Sequence, residues 1–178
     1  MSNHYHLDDK FFEADNLIKD GKIGEATSLL NEIVTEMPEY GRAHNHLGWI
    51  YETKLNDYVK AENHYKAAFQ FSPEYPAVYY NYSILLSTLA RYDELAALLE
   101  KAMNVPGINK ATIINECGIM YEAQGKYKEA IDSYTQYIRY SYDNKNIETG
   151  KASIERCKTK MSFDGNGGGS GSGNYRRD

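Results

Sequence analysis

Residues 44–73 read HNHLGWIYETKLNDYVKAENHYKAAFQFSP, and the pattern of this stretch returns twice downstream. Residues 79–106 read YYNYSILLSTLARYDELAALLEKAMNVP, and residues 113–138 read IINECGIMYEAQGKYKEAIDSYTQYI. A small residue recurs at Gly48, Ser83 and Gly118, 35 residues apart each time, and Ala14 extends the series backward by 34. A period of this length denotes stacked supersecondary units rather than a single globular core. Such a stack builds a curved surface and seldom an enclosed active site, so the period already limits function.

Each period holds two helical patterns around a short turn. Phe11, Ala14, Leu17 and Ile18 recur at helical spacing over 7–20, and Ala26, Leu29, Leu30, Ile33 and Val34 do so over 23–37. Gly21 separates the two, because glycine takes the left-handed conformation that ends a helix, and Pro38 stops the second. The same reading predicts hairpins over 41–71, 76–104 and 109–140. The fold class expected is all-α, a right-handed solenoid of about four helix-turn-helix repeats (7–40, 41–75, 76–108 and 109–143). A charged helix over 144–161 closes the 1–161 domain, because a terminal repeat needs one apolar and one wet face. Ile147, Ala152, Ile154 and Cys157 are the expected covering residues. Residues 162–178 differ in kind. GNGGGSGSG at 165–173 has the composition of a flexible engineered linker, with Asn174, Tyr175, Arg176, Arg177 and Asp178 as its cargo.

The repeats resemble the tetratricopeptide repeat family. Leu47-Gly48 with Tyr51, and Cys117-Gly118 with Tyr121, match its small residue at the helix crossing and the aromatic that follows. Ala26, Ala61 and Ala130 match its early second-helix alanine; Leu30, Tyr65 and Tyr134 match the bulky residue four positions on. Pro38 and Pro73 match its closing proline. The third repeat departs, with Tyr82-Ser83 for the Leu-Gly pair and Leu95 for the alanine; the second carries one extra turn residue. Small residues let helices approach at the short end of the roughly 8–10 Å packing range, and large residues opposite fill the gap.

The resemblance implies that first helices line a concave groove that takes peptides. The projected groove residues are Phe11 and Asp15; Arg42, Asn45, Trp49 and Glu52; Tyr80, Asn81 and Ile84; and Asn115, Ile119 and Glu122. Asn45, Asn81 and Asn115 fall at nearly equivalent places, and an amide can pair with a peptide backbone of any sequence. Trp49, the single tryptophan, is either a binding anchor or a wedge between repeats. An excess of acids (Asp15, Glu52, Glu122) favours a basic or mixed-charge partner segment carrying an aromatic. Arg42 and Lys19 are too few for a grip on a terminal carboxylate. Tyr175, Arg176 and Arg177 are chemically suited to such a groove, so the tail is readable as a tethered ligand.

The net charge of −5 excludes an ordinary nucleic-acid binder, which needs a basic stripe. No apolar run reaches the roughly 20 residues of a membrane span. Cys117 and Cys157 form no metal or redox motif and read as reduced thiols. His44 and His46 point about 200° apart on a helix and cannot chelate one ion by themselves. No phosphate loop, metal-ligand set or catalytic constellation is present, so no cofactor is expected. The sequence therefore reads as a cytoplasmic, non-catalytic peptide-binding adaptor. The rival reading is a structural or self-associating repeat fragment, and the oligomeric state stays open.

Overall fold

A computed structural model of the chain describes residues 5–166, with side chains described through residue 163. Among these residues there are helices and no strands: α1 (Tyr5–Lys19), α2 (Ile23–Glu36), α3 (Gly41–Thr53), α4 (Tyr58–Phe71), α5 (Pro76–Thr88), α6 (Tyr92–Ala102), α7 (Lys110–Ala123), α8 (Tyr127–Tyr140) and α9 (Asn144–Asn166). The tail segment Asn174–Asp178 lies outside the described residues. The chain divides at Ile108 into two compact units. The first holds the hairpins α1/α2, α3/α4 and α5/α6, with α2 against α3, α4 against α5, and α3 touching α5. The second holds the hairpin α7/α8, with α9 laid on α8.

The turns inside the hairpins are equivalent. Gly21, Asn56, Ala90 and Gly125 all take positive φ, at 76°, 53°, 54° and 72°. After three of them the chain closes with an N–H bond five residues back: Lys22 to Leu17, Arg91 to Leu86 and Lys126 to Tyr121. In the second hairpin the bond runs from Asp57 to Tyr51, so the extra residue is absorbed in the turn and the helices keep their register. Asp57 then caps α4 by accepting from the Lys60 N–H, and Asn109 caps α7 by accepting from the Thr112 N–H. Ala90 is the misfit, since its Cβ opposes the left-handed conformation by about 1–2 kcal/mol. Ala90→Gly is expected to stabilise the chain by about 0.5–1 kcal/mol, after the extra entropy glycine loses on folding. A rise in the urea midpoint at unchanged m-value is the expected sign, and a lower midpoint would contradict the strain.

The small residues sit under large ones. A Cβ added at Gly48 would lie 2.6 Å from Cδ1 and Cε1 of Tyr65; at Gly118 it would lie 2.6 Å from Cε1 of Tyr134. Tyr65 and Tyr134 are fully buried. Their hydroxyls donate to carboxylates one turn past the glycines: Tyr65 to Glu52 at 2.6 Å and Tyr134 to Glu122 at 2.9 Å. The first and third hairpins lack all three members together, carrying Ala14, Ile18 and Leu30 in one and Ser83, Ser87 and Leu99 in the other. Where the ring is absent, the glycine and the carboxylate are absent too.

The last helix differs from expectation in two ways. Ile147 and Ile154 are half-buried and Cys157 is buried, but Ala152 is exposed. Gly150 and Ser153 take the inward positions instead, and a Cβ at Gly150 would meet Ile138 Cγ1 at 2.5 Å. The helix also runs to Asn166 rather than stopping at 161. Ser162 and Phe163 offer no stop signal, and the next glycine after Gly150 comes at 165. No helix among the described residues is long and apolar enough to cross a membrane.

Candidate functional site

In the first unit the three leading helices, α1, α3 and α5, enclose an open cavity of about 250 Å³. Ile18 comes from α1, His46 and Trp49 from α3, and Ala77 from α5, with Tyr75 at the α5 N-cap. Asn45 and Asn81 join the lining, and Asn81 Nδ2 donates to Asn45 Oδ1 at 3.1 Å. Asn45 is only 1 % exposed, whereas Asn81 is half-buried. The difference follows from register. Asn45 precedes its small residue by three positions and Asn81 by two, and one residue is about 100° of helix. The in-register partner of Asn81 is therefore His46, which the asparagine pattern alone does not reveal.

The other projected residues divide into three groups. Phe11 is core, 3 % exposed, so it is not a groove contact. Glu52 and Glu122 are buried and committed to the tyrosine hydroxyls. Phe11, Glu52 and Glu122 therefore lie inside rather than on a groove face; a helix stripe read without its partner helix cannot separate an edge from an interior. Asp15, Arg42, Tyr80 and Asn115 are half-buried, while Ile84 and Ile119 are 52 % and 39 % exposed. Asn115, Ile119 and Glu122 belong to the second unit and are described there alone.

The electrostatics change the expected ligand. Burial raises the Glu52 carboxyl above its usual range despite the Tyr65 bond, and burial likewise raises Glu116. Hydrogen bonding to Lys19 holds Asp15 below the usual range against some burial, with His46 assisting. Asp15 lies 2.6 Å from Lys19 Nζ and 3.3 Å from His46 Nε2. His46 Nδ1 faces the Arg42 carbonyl at 3.1 Å, which fixes the ring against the cavity wall. The Arg42 guanidinium sits 4.3 Å over the Phe11 ring. Among the projected groove residues of the first unit, Asp15 is thus paired with Lys19 and Glu52 is turned inward while Arg42 remains, and the case for a basic ligand weakens.

No group of three or more His, Cys, Asp or Glu among the described residues is arranged for a metal ion. His44 and His64 instead pair with each other, Nδ1 to Nδ1 at 2.9 Å. His44 Nε2 lies 2.9 Å from the Pro38 carbonyl, which only accepts, so His64 must donate to His44. His64 also stacks on Tyr51 at 5.3 Å. Burial, then the neighbouring His44, lower the His64 pKa to about 4 from 6.5. The neutral ring favours the fold, so this stability is complete above pH 6.5 and is lost as pH falls toward 4. The expected loss is on the order of 1–2 kcal/mol after solvent screening. His64→Gln should flatten the stability profile between pH 4 and 6.5; an unchanged slope would contradict the assignment.

Residues 41–75 and residues 114–145 each match a tetratricopeptide repeat model. The chain is a tetratricopeptide repeat protein, which places it among repeat modules for protein interaction. The sequence matches no curated protein. Its fold is similar to that of pilF from Pseudomonas aeruginosa, at 18% identity and a TM-score of 0.73, covering 92% of this chain and 77% of that one. PilW, a widely conserved type IV pilus biogenesis factor, aligns at 18% identity with a TM-score of 0.69, covering 91% and 78%. A thermophilic tetratricopeptide repeat protein of Thermus thermophilus aligns at 16% identity with a TM-score of 0.63, covering 86% and 80%. At these identities the likeness carries the fold alone.

Proposed function

We propose that the chain is a non-catalytic adaptor that binds a segment of a partner protein on the leading-helix face of its first unit. The cavity between α1, α3 and α5 is the observation that carries this reading. Its volume, about 250 Å³, falls below the roughly 300–1,000 Å³ of sites that hold drug-sized molecules. It is the right scale for one inserted side chain. Trp49 lines it, and Ile84 on the neighbouring α5 stands 52 % exposed. An aromatic wall beside exposed apolar surface is the usual make-up of a binding anchor. The partner segment is mixed in charge and supplies an apolar or aromatic anchor. The tail sequence Asn-Tyr-Arg-Arg-Asp remains a candidate ligand by its chemistry.

Peptide display against the full chain, counter-screened on Trp49→Ala, tests this reading. Selected peptides are expected to share one aromatic or aliphatic anchor and to lose at least about tenfold in affinity on Trp49→Ala, as for a binding hot spot. Peptides that bind both chains equally would overturn it.

A further inference from the structure

Asn45 is the most buried residue lining the cavity, and its amide is only half used. Its Oδ1 accepts from Asn81, but its own Nδ2 hydrogens meet no acceptor among the described residues. No wholly buried side-chain polar atom among those residues lacks a partner, so these hydrogens open onto the cavity. Asn81 Oδ1 is likewise unengaged among the described residues. The pair therefore offers one donor and one acceptor side by side at the cavity floor. Exchanging O and N in both amides leaves the same offer.

The walls are apolar or aromatic: Ile18, Trp49, Tyr75 and Ala77. His46 is turned to Asp15 and the Arg42 carbonyl, and among the described residues no lysine or arginine lines the cavity. Arg42 and Lys54 stand over the Tyr75 and Trp49 rings, at 5.9 and 5.1 Å, without joining the lining, so a carboxylate or phosphate would meet no cation in the cavity wall itself. At 1 % exposure Asn45 lies beyond the reach of a ligand's main chain, so only a side chain can satisfy it. That side chain needs an apolar ring-sized body and a tip that both donates and accepts. A phenol has both.

We propose that the cavity is a tyrosine-accepting subsite, with the partner's ring against Trp49 and Tyr75 and its hydroxyl on the Asn45–Asn81 pair. This rests on the reading of the cavity as the anchor site and adds the identity of the anchor. A phenylalanine in the same place would leave the Asn45 hydrogens buried without an acceptor, a loss of roughly five- to tenfold in affinity for one neutral hydrogen bond.

The test uses p-cresol and toluene, the side-chain analogues of tyrosine and phenylalanine, titrated into the full chain and followed by NMR. The signals are the Trp49 indole and the side-chain amides of Asn45 and Asn81. The expected result is saturable shifts at all three with p-cresol, at least fivefold tighter than with toluene. The double variant Asn45→Leu/Asn81→Leu, or Asn45→Ala/Asn81→Ala if that one does not fold, removes the donor and the acceptor together and is expected to abolish the difference at the Trp49 indole. Equal binding of the two probes would overturn the tyrosine assignment and leave the apolar anchor site standing. Absence of any shift at the Trp49 indole with either probe would overturn both.

Discussion

Gly48→Ala is expected to destabilise the chain by about 2–3 kcal/mol, a large effect for one methyl group. The added Cβ would lie 2.6 Å from two ring atoms of Tyr65. That ring cannot retreat, because it is fully buried and its hydroxyl is tied to Glu52 at 2.6 Å. Tyr65→Leu alone is also costly, since it opens a void and leaves the buried Glu52 carboxyl without its donor. The first hairpin shows the compensated solution, with Ala14, Ile18 and Leu30 at the same places. The triple variant Gly48→Ala/Glu52→Ile/Tyr65→Leu is therefore expected to lie within about 1 kcal/mol of the parent, far less than the single costs added together. Urea midpoints of the singles and the triple decide the matter. Additive losses would show that the three positions do not act as one unit.

Glu122→Ala is expected to loosen α9 from its hairpin at a cost of about 2–3 kcal/mol, allowing for the half-exposed partners. Arg156 grips this carboxylate with two bonds of 2.7 Å, Lys160 adds one at 2.8 Å, and the Tyr134 hydroxyl adds one at 2.9 Å. Removing it leaves two cations of α9 without a shared anion. Amide exchange over 147–161 should speed up strongly while α7 and α8 change less, and uniform protection would contradict a latch. Hydrogen bonding to Arg156, ahead of Lys160 and Tyr134, holds the Glu122 pKa at about 2 against some burial. Its folded value lies below the ordinary 4.5, so the latch contributes fully above pH 4.5 and is lost as pH falls through about 2.

The helices and their pairing were legible in the sequence because they rest on local signals. The 35-residue return of Gly48, Ser83 and Gly118 sets the crossings, and Gly21 and Gly125 mark turns whose left-handed backbone glycine adopts freely. Ala90 carries no such mark, yet it takes the same conformation because the helices on either side demand it. The site was legible only in part. Trp49 and Asn81 do line the cavity, but Glu52 and Glu122 face inward to hydroxyls 13 and 12 residues away. A helix stripe gives direction to within about 100° per residue, and that is too coarse to tell a groove edge from a ring contact. A sharper signal existed: Tyr65 and Tyr134 occur only in the hairpins that carry the Glu, and that co-occurrence marks the acids as internal partners.

Leading helices that grip a partner segment, with trailing helices serving as support, make a directional claim. NMR mapping of the full chain with a display-selected peptide tests it most directly. Shifts in the first unit are expected to concentrate on α1, α3 and α5 and to include the Trp49 indole. Shifts confined to α2, α4 and α6, with Trp49 unmoved, would contradict it.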